Sequence, residues 1–191
     1  MKKLFFIAAA FATLSAFTIL SATWKNDPAH SQLTFTVTHL GISDVSGTFN
    51  DFTVTAEAAK PDFSDAVFTL SAKTASINTR VEMRDNHLKS ADFFDAEKYP
   101  TLDFKSTGLK SAGKNKFKLT GDLTLHGVTK PVTLDLEYRG TTENPMSKKA
   151  TAGFQLTGTI KRSDFSIGTK FPDQMVSDVV RIKADGEFTQ Q

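Results

Sequence analysis

The chain has no cysteine among its 191 residues. That excludes disulfides, thiolate metal sites, cysteine-linked haem and a lipidated N-terminal cysteine. Tryptophan occurs once and tyrosine twice, so few large apolar side chains bring a polar tip that must be satisfied. No stretch beyond Leu20 is long and apolar enough to cross a bilayer as a helix. Neither sign of charge dominates, with 23 Lys and Arg against 21 Asp and Glu. Lys2 and Lys3 account for the excess, and acids and bases are interspersed elsewhere, which argues against a nucleic-acid footprint. Catalytic motifs are missing too: there is no Gly-x-Ser-x-Gly, no phosphate-cradling glycine loop and no His-Glu-x-x-His.

What the chain has in excess is phenylalanine, 17 residues of it. Phe5, Phe6, Phe11 and Phe17 belong to an N-terminal segment that reads as an export signal. Lys2-Lys3 forms its basic head, Leu4 to Leu20 its uncharged apolar run, and Ser21-Ala22 a small-residue exit before Thr23. An uncleaved anchor is the alternative, because the apolar run is near the lower limit for a span. Cleavage is expected, leaving residues 1–22 as signal peptide and 23–191 as one domain, large enough to bury a core. The remaining Phe residues suit a dry interior, filled either by side chains or by a ligand.

Period-two alternation dominates residues 23–191. It runs through Leu33, Phe35 and Val37, through Phe117, Leu119, Leu123 and Leu125, and through Val132, Leu134, Leu136 and Tyr138. Phe154, Leu156 and Ile160 repeat it, as do Val180, Ile182, Ala184, Gly186 and Phe188. Each run is a strand with one buried face. Segments 49–56, 66–72 and 102–107 bring the expected total to about eight strands. Thr79 to Tyr99 breaks the pattern: Val81, Arg84 and Leu88 recur at helical spacing, and Ser90 or Asp92 could cap a second short turn ended by Pro100. One-sided antiparallel strands with little helix leave a closed barrel or a two-sheet sandwich. Little edge protection is visible, Pro131 being the main candidate, so the expectation is an all-β, closed antiparallel eight-stranded barrel with a short helical crossover near 79–99.

Candidate chemistry is sparse. His30, His39, His87 and His126 are too scattered for a local chelate, and no metal site is expected. Asp27, His30 and Ser31 invite comparison with a nucleophilic triad but lack an activating context, and a capped turn before the first strand is the simpler reading. Arg84, Asp85 and His87 belong to a polar cluster on the crossover, either a solvated face or the polar rim of a barrel mouth. Arg162-Ser-Asp-Phe165 reads as a turn stapled by Asp164 before an aromatic plug. Strand parity nominates Phe35, Val37, Phe68, Leu70, Leu123, Leu125, Leu134, Leu136, Phe154, Leu156 and Ile182 as interior.

The order and spacing of several segments carry a resemblance. They are Asp27-Pro-Ala-His30-Ser31, Phe35-Thr-Val37-Thr-His39-Leu-Gly41, Arg84-Asp85-Asn-His87-Leu88, Asp92-Phe93-Phe94-Asp95, Tyr99-Pro100, Gly121 to Val132, and Arg162-Ser-Asp164-Phe165. Together they resemble the YceI-like family of bacterial periplasmic proteins. The resemblance implies a lipocalin-like barrel whose apolar interior takes an isoprenoid lipid or quinone tail as ligand, with no cofactor and no shared catalytic residue. It implies periplasmic residence and a membrane or membrane protein as donor or acceptor of the lipid; a homodimer is left open. Two readings compete with the lipid carrier: an enzyme acting on a small periplasmic molecule through the mouth cluster, and a filled barrel that binds a protein.

Overall fold

A computed structural model describes residues 21–191; the expected signal peptide falls almost wholly outside them. One antiparallel sheet accounts for nearly the whole described chain. Its strands are β1 (Ala22–His39), β2 (Ser43–Phe49), β3 (Phe52–Ala58), β4 (Val67–Lys73), β5 (Ile77–Asn78), β6 (Thr101–Gly113), β7 (Lys116–Leu125), β8 (Val128–Glu143), β9 (Ala150–Lys161) and β10 (Val179–Gln190). β2 and β3 lie end to end along β1, and β5 continues β4 along β2 after a turn of 3-10 helix at Thr74–Ser76. The strands therefore make eight barrel staves, and pairing of β10 with β1 closes the ring. Closure removes both sheet edges, which is why edge protection is so slight. Pro131 lies inside β8, opposite Asp122, rather than guarding an edge at a strand start.

The alternation seen in the sequence is the inside–outside alternation of the barrel. In β7, Phe117, Leu119, Leu123 and Leu125 are buried while Lys116, Lys118 and Asp122 are exposed. Glycines on the inner face make room for rings: neither Gly47 nor Gly121 could carry a Cβ without meeting Phe35 or Phe104 respectively. Two local readings are corrected. The first strand starts at Ala22, and Asp27–His30 is a bulge within it, where the pairing with β10 jumps between Asn26 and Ser31. The crossover holds a single helix, α1 (Glu82–Lys89), and residues 91–98 form turns instead of a second helical segment. Ser90 closes α1, its hydroxyl donating to the His87 carbonyl.

The two ends of the barrel differ. One carries the β3–β4 loop, and its Phe63, 2% exposed, is driven between the staves. Phe63 packs on Trp24, Tyr138 and Phe154 at centroid distances of 5.1, 5.0 and 4.9 Å, and Phe154 continues the cluster to Phe68 and Phe188. Edge-on and tilted rings at these spacings fill the end as solid core. The opposite end carries the β1–β2 turn, the crossover, the tight His126-Gly127 turn and residues 162–178.

Candidate functional site: an apolar cavity open at one end

Phe63, Phe68, Phe154 and Phe188 at the aromatic plug are buried, whereas Phe35, Val37, Leu70, Leu156 and Ile182, equally inward, keep partial exposure. They face a cavity of about 470 Å³, within the usual range for a small-molecule site. The cavity wall includes every one of the residues nominated from strand parity: Phe35, Val37, Phe68, Leu70, Leu123, Leu125, Leu134, Leu136, Phe154, Leu156 and Ile182. Gly158 gives Leu134 its space on this wall, since a Cβ there would run into the leucine.

Two segments shape the open end. The crossover contributes Arg84, His87, Leu88, Phe93 and Phe94 to the lining, and residues 162–178 contribute Arg162, Ile167, Phe171, Met175 and Val176. They are clasped to each other. Phe93 stacks on Phe171 with centroids 4.8 Å apart, and His87 meets both rings edge-on. Asp92 accepts from Lys170 Nζ at 2.6 Å and lies 3.3 Å from His87 Nε2. The Lys170 ammonium first, then His87, holds the Asp92 carboxyl below its ordinary pKa. Gly168 completes the clasp, because a Cβ there would lie 2.7 Å from the Phe93 ring.

The mouth polar cluster is partly a brace. Asp85 is absent from the cavity wall; its carboxylate accepts from the backbone N–H of Thr79, at 2.7 Å, and from its hydroxyl. Arg84 does reach the wall, and its Nε and Nη2 donate to Thr79 Oγ1 and O at 2.7 and 2.8 Å. Thr79 is 2% exposed, so the two charged side chains anchor the start of the crossover to the barrel. Arg162 is a second, deeper anchor that sequence reasoning missed. It is 7% exposed and donates to the carbonyls of Ser177, Ile167, Gly168, Phe171 and Val176. The staple of this segment is Asp178, not Asp164: it accepts from Ser163 N and Oγ at 2.9 and 2.8 Å. Burial works against its charge, but those bonds together with Arg162 and Lys161 keep its pKa lowered.

Asp27 and His30 pair on the outside, with Asp27 Oδ2 2.8 Å from His30 Nδ1. Ser31 Oγ makes no bond to His30, so the three residues form no triad. Glu187 joins Asp27 and His30, their ligand atoms lying within 4.8 Å of one another in an arrangement a metal ion could use. His39 ends β1 at the mouth, bridged through its backbone to Val176. His126, at φ 52°, forms the β7–β8 turn with Gly127.

A closed antiparallel barrel with one packed end and an apolar cavity open at the other defines a lipocalin-like binding protein. The YceI-like domain matches residues 24–188, and the chain belongs to the YceI-like family. A UPF0312 protein of Pseudomonas putida is 41% identical over 172 residues, 87% of this chain and 88% of its own length. One from Staphylococcus aureus is 38% identical over 167 residues, 85% and 95% of the two chains. Among solved structures, Burkholderia cenocepacia BcnA superposes with a TM-score of 0.75 at 26% identity, covering 85% of this chain and 98% of that one. The Campylobacter jejuni YceI protein gives 0.74 at 35% identity, covering 81% and 90%. A polyisoprenoid binding domain from Saccharophagus degradans shares the fold at 15% identity, with a TM-score of 0.67 and coverage of 89% and 99%.

Proposed function

We propose that this protein is a non-catalytic periplasmic carrier or sequestering protein for a long apolar chain of the polyisoprenoid class. The observation that carries this reading is the cavity itself: about 470 Å³, open at one end and walled mainly by Phe, Leu, Val and Ile. Burying one CH2 contributes roughly 0.8 kcal/mol, so an isoprene unit contributes about 3–4 kcal/mol. Association costs on the order of 4–15 kcal/mol in lost freedom. Three or four buried units outweigh that without any polar contact, and affinity should rise with chain length. The Saccharophagus degradans domain, described as polyisoprenoid binding, supports the choice of an isoprenoid over other apolar chains. The Lys2-Lys3 head, apolar run and Ser21-Ala22 exit support export. Exchange with a membrane is supported by the apolar side chains around the open end, where Leu40, Ile42, Met83 and Met175 are 54%, 84%, 81% and 43% exposed. The enzyme reading is weakened by the geometry of its candidates, since Arg84 and Asp85 are engaged with Thr79, and His87 with Asp92.

Native mass spectrometry of protein purified from its own cells tests this. The expected result is a soluble species lacking residues 1–22 that carries an isoprenoid releasable by organic extraction. Protein that comes out empty and fails to bind added isoprenols of three to eight units would overturn the lipid reading.

A further inference from the structure

The bulge in β1 has a consequence inside the barrel. Regular alternation from Trp24 and Asn26 would carry Ser31 to the outer face. The register jump between Asn26 and Ser31 resets the parity, so that Asn26 and Ser31 both border the cavity; a bulge re-aims side chains in this way. On the outside the bulge is held by Asp27, which accepts from Ala29 N at 2.9 Å and pairs with His30.

Asn26 is 4% exposed. Its Oδ1 accepts the Val54 N–H at 2.7 Å, which fixes the amide so that Nδ2, a pure donor, is the other atom. Asn26 Nδ2 and Ser31 Oγ are the buried side-chain polar atoms that find no hydrogen-bond partner among the described residues. Buried donors are rarely left so, because an unmade bond is destabilising. The space beside the hydroxyl is kept open by Gly186, its cross-strand partner, where a Cβ would lie 2.8 Å from Ser31 Oγ and 3.2 Å from the Phe188 ring. Phe188 belongs to the aromatic plug, so the two atoms mark the deep end of the cavity.

Resting on the lipid-binding reading above, we propose that Asn26 Nδ2 and Ser31 Oγ form a deep polar subsite for a neutral oxygen at one end of the ligand. A quinone carbonyl, hydroxyl or ether oxygen fits, and the ligand enters polar end first. An anionic head is disfavoured there. The guanidinium groups on the cavity wall, Arg84 and Arg162, belong to the opposite, open end, and Arg162 is taken up by backbone carbonyls. A buried anion without a countercharge is strongly unfavourable.

The test compares a benzoquinone bearing two isoprene units, farnesene as a headless hydrocarbon, and farnesyl diphosphate. They are titrated into the parent protein, Ser31→Ala and Asn26→Asp. Ser31→Ala removes a hydroxyl that has no partner to lose, so the ligand-free melting temperature should not fall. Asn26→Asp keeps the acceptor for Val54 N and replaces the donor. Both variants should bind the quinone about threefold to tenfold more weakly, the effect of one neutral hydrogen bond, with farnesene binding within twofold of the parent. Trp24, the sole tryptophan, packs in the plug and should be quenched by the quinone. If the quinone binds Ser31→Ala as tightly as the parent, or binds without quenching Trp24, or if the diphosphate binds best, the deep subsite is refuted while the lipid reading stands. If the parent binds neither quinone nor farnesene, the lipid reading fails and the subsite with it.

Discussion

Asp27 and His30 show how a residue pair that suggests catalysis can serve shape instead. The hydrogen bond from His30, then the Ala29 N–H, holds the Asp27 carboxyl below its ordinary pKa. The same bond, followed by the charges of Asp27 and Glu187, raises that of His30. A raised histidine contributes stability that is complete below its unfolded value and is lost as pH rises through the folded one. A lowered aspartate contributes stability that is present above its unfolded value and is lost as pH falls through the folded one. The pair therefore supports the bulge fully between the ordinary aspartate and histidine values. NMR titration should place the His30 midpoint above that of an unperturbed histidine, and Asp27→Asn should bring it down. A midpoint unmoved by Asp27→Asn would show that the pair does not persist in solution. The motif's outline was legible in the sequence, but its role was not: Asp27-Pro-Ala-His-Ser31 breaks the alternation and reads as a turn, and only the pairing of the flanking residues with β10 and β3 makes it a bulge within a strand.

Among elements, residues 162–178 depend most on one side chain. Arg162 gathers five backbone carbonyls with no acid paired to it among the described residues. Replacement by Ala leaves those acceptors without their donor in a buried setting, with an expected loss of about 3 kcal/mol or more. Urea unfolding measures the loss, and hydrogen exchange should show residues 166–178 losing protection before the strands do. Arg162→Lys should recover only part of it, because an ammonium has three donors and no planar fork. An Arg162→Ala protein with unchanged exchange in this segment would refute the assignment. Helix α1 was readable from Val81, Arg84 and Leu88, since a local period needs no distant partner. The clasp between Asp92 and Lys170 joins residues 78 apart, and nothing in either segment alone announces the other.

At the scale of the molecule, the barrel divides into a stabilising end and a binding end, and the two should respond oppositely to substitution. Phe154, 4% exposed and in contact with Phe63, Phe68, Tyr138 and Phe188, belongs to the plug. Phe154→Ala should cost about 3–5 kcal/mol, read by thermal or denaturant unfolding. Ile182 is only half-buried and faces the cavity. Ile182→Trp should fold with little change in stability and lose isoprenoid capacity, because the larger ring occupies the ligand's space. A stable Phe154→Ala protein, or an Ile182→Trp protein that binds normally, would contradict this division.

Alternation alone established most of the strands, their inward faces and the all-β class, because side-chain direction along a strand is a local property with a period of two. It missed β2 and β5, and the expected strand over 49–56 spans the break between β2 and β3. Family-wide segment order pointed to the same barrel, and the YceI-like match over residues 24–188 bears that out. Alternation could not tell wall from plug: Phe154 and Leu156 share one parity and both border the cavity, yet Phe154 is buried among the plug aromatics and Leu156 keeps partial exposure. That difference arises from which loops fold over which end. Phe63 closes one mouth, while the clasp of Phe93 on Phe171 leaves the other open. Such closure depends on contacts between segments far apart in the chain, which no local pattern encodes.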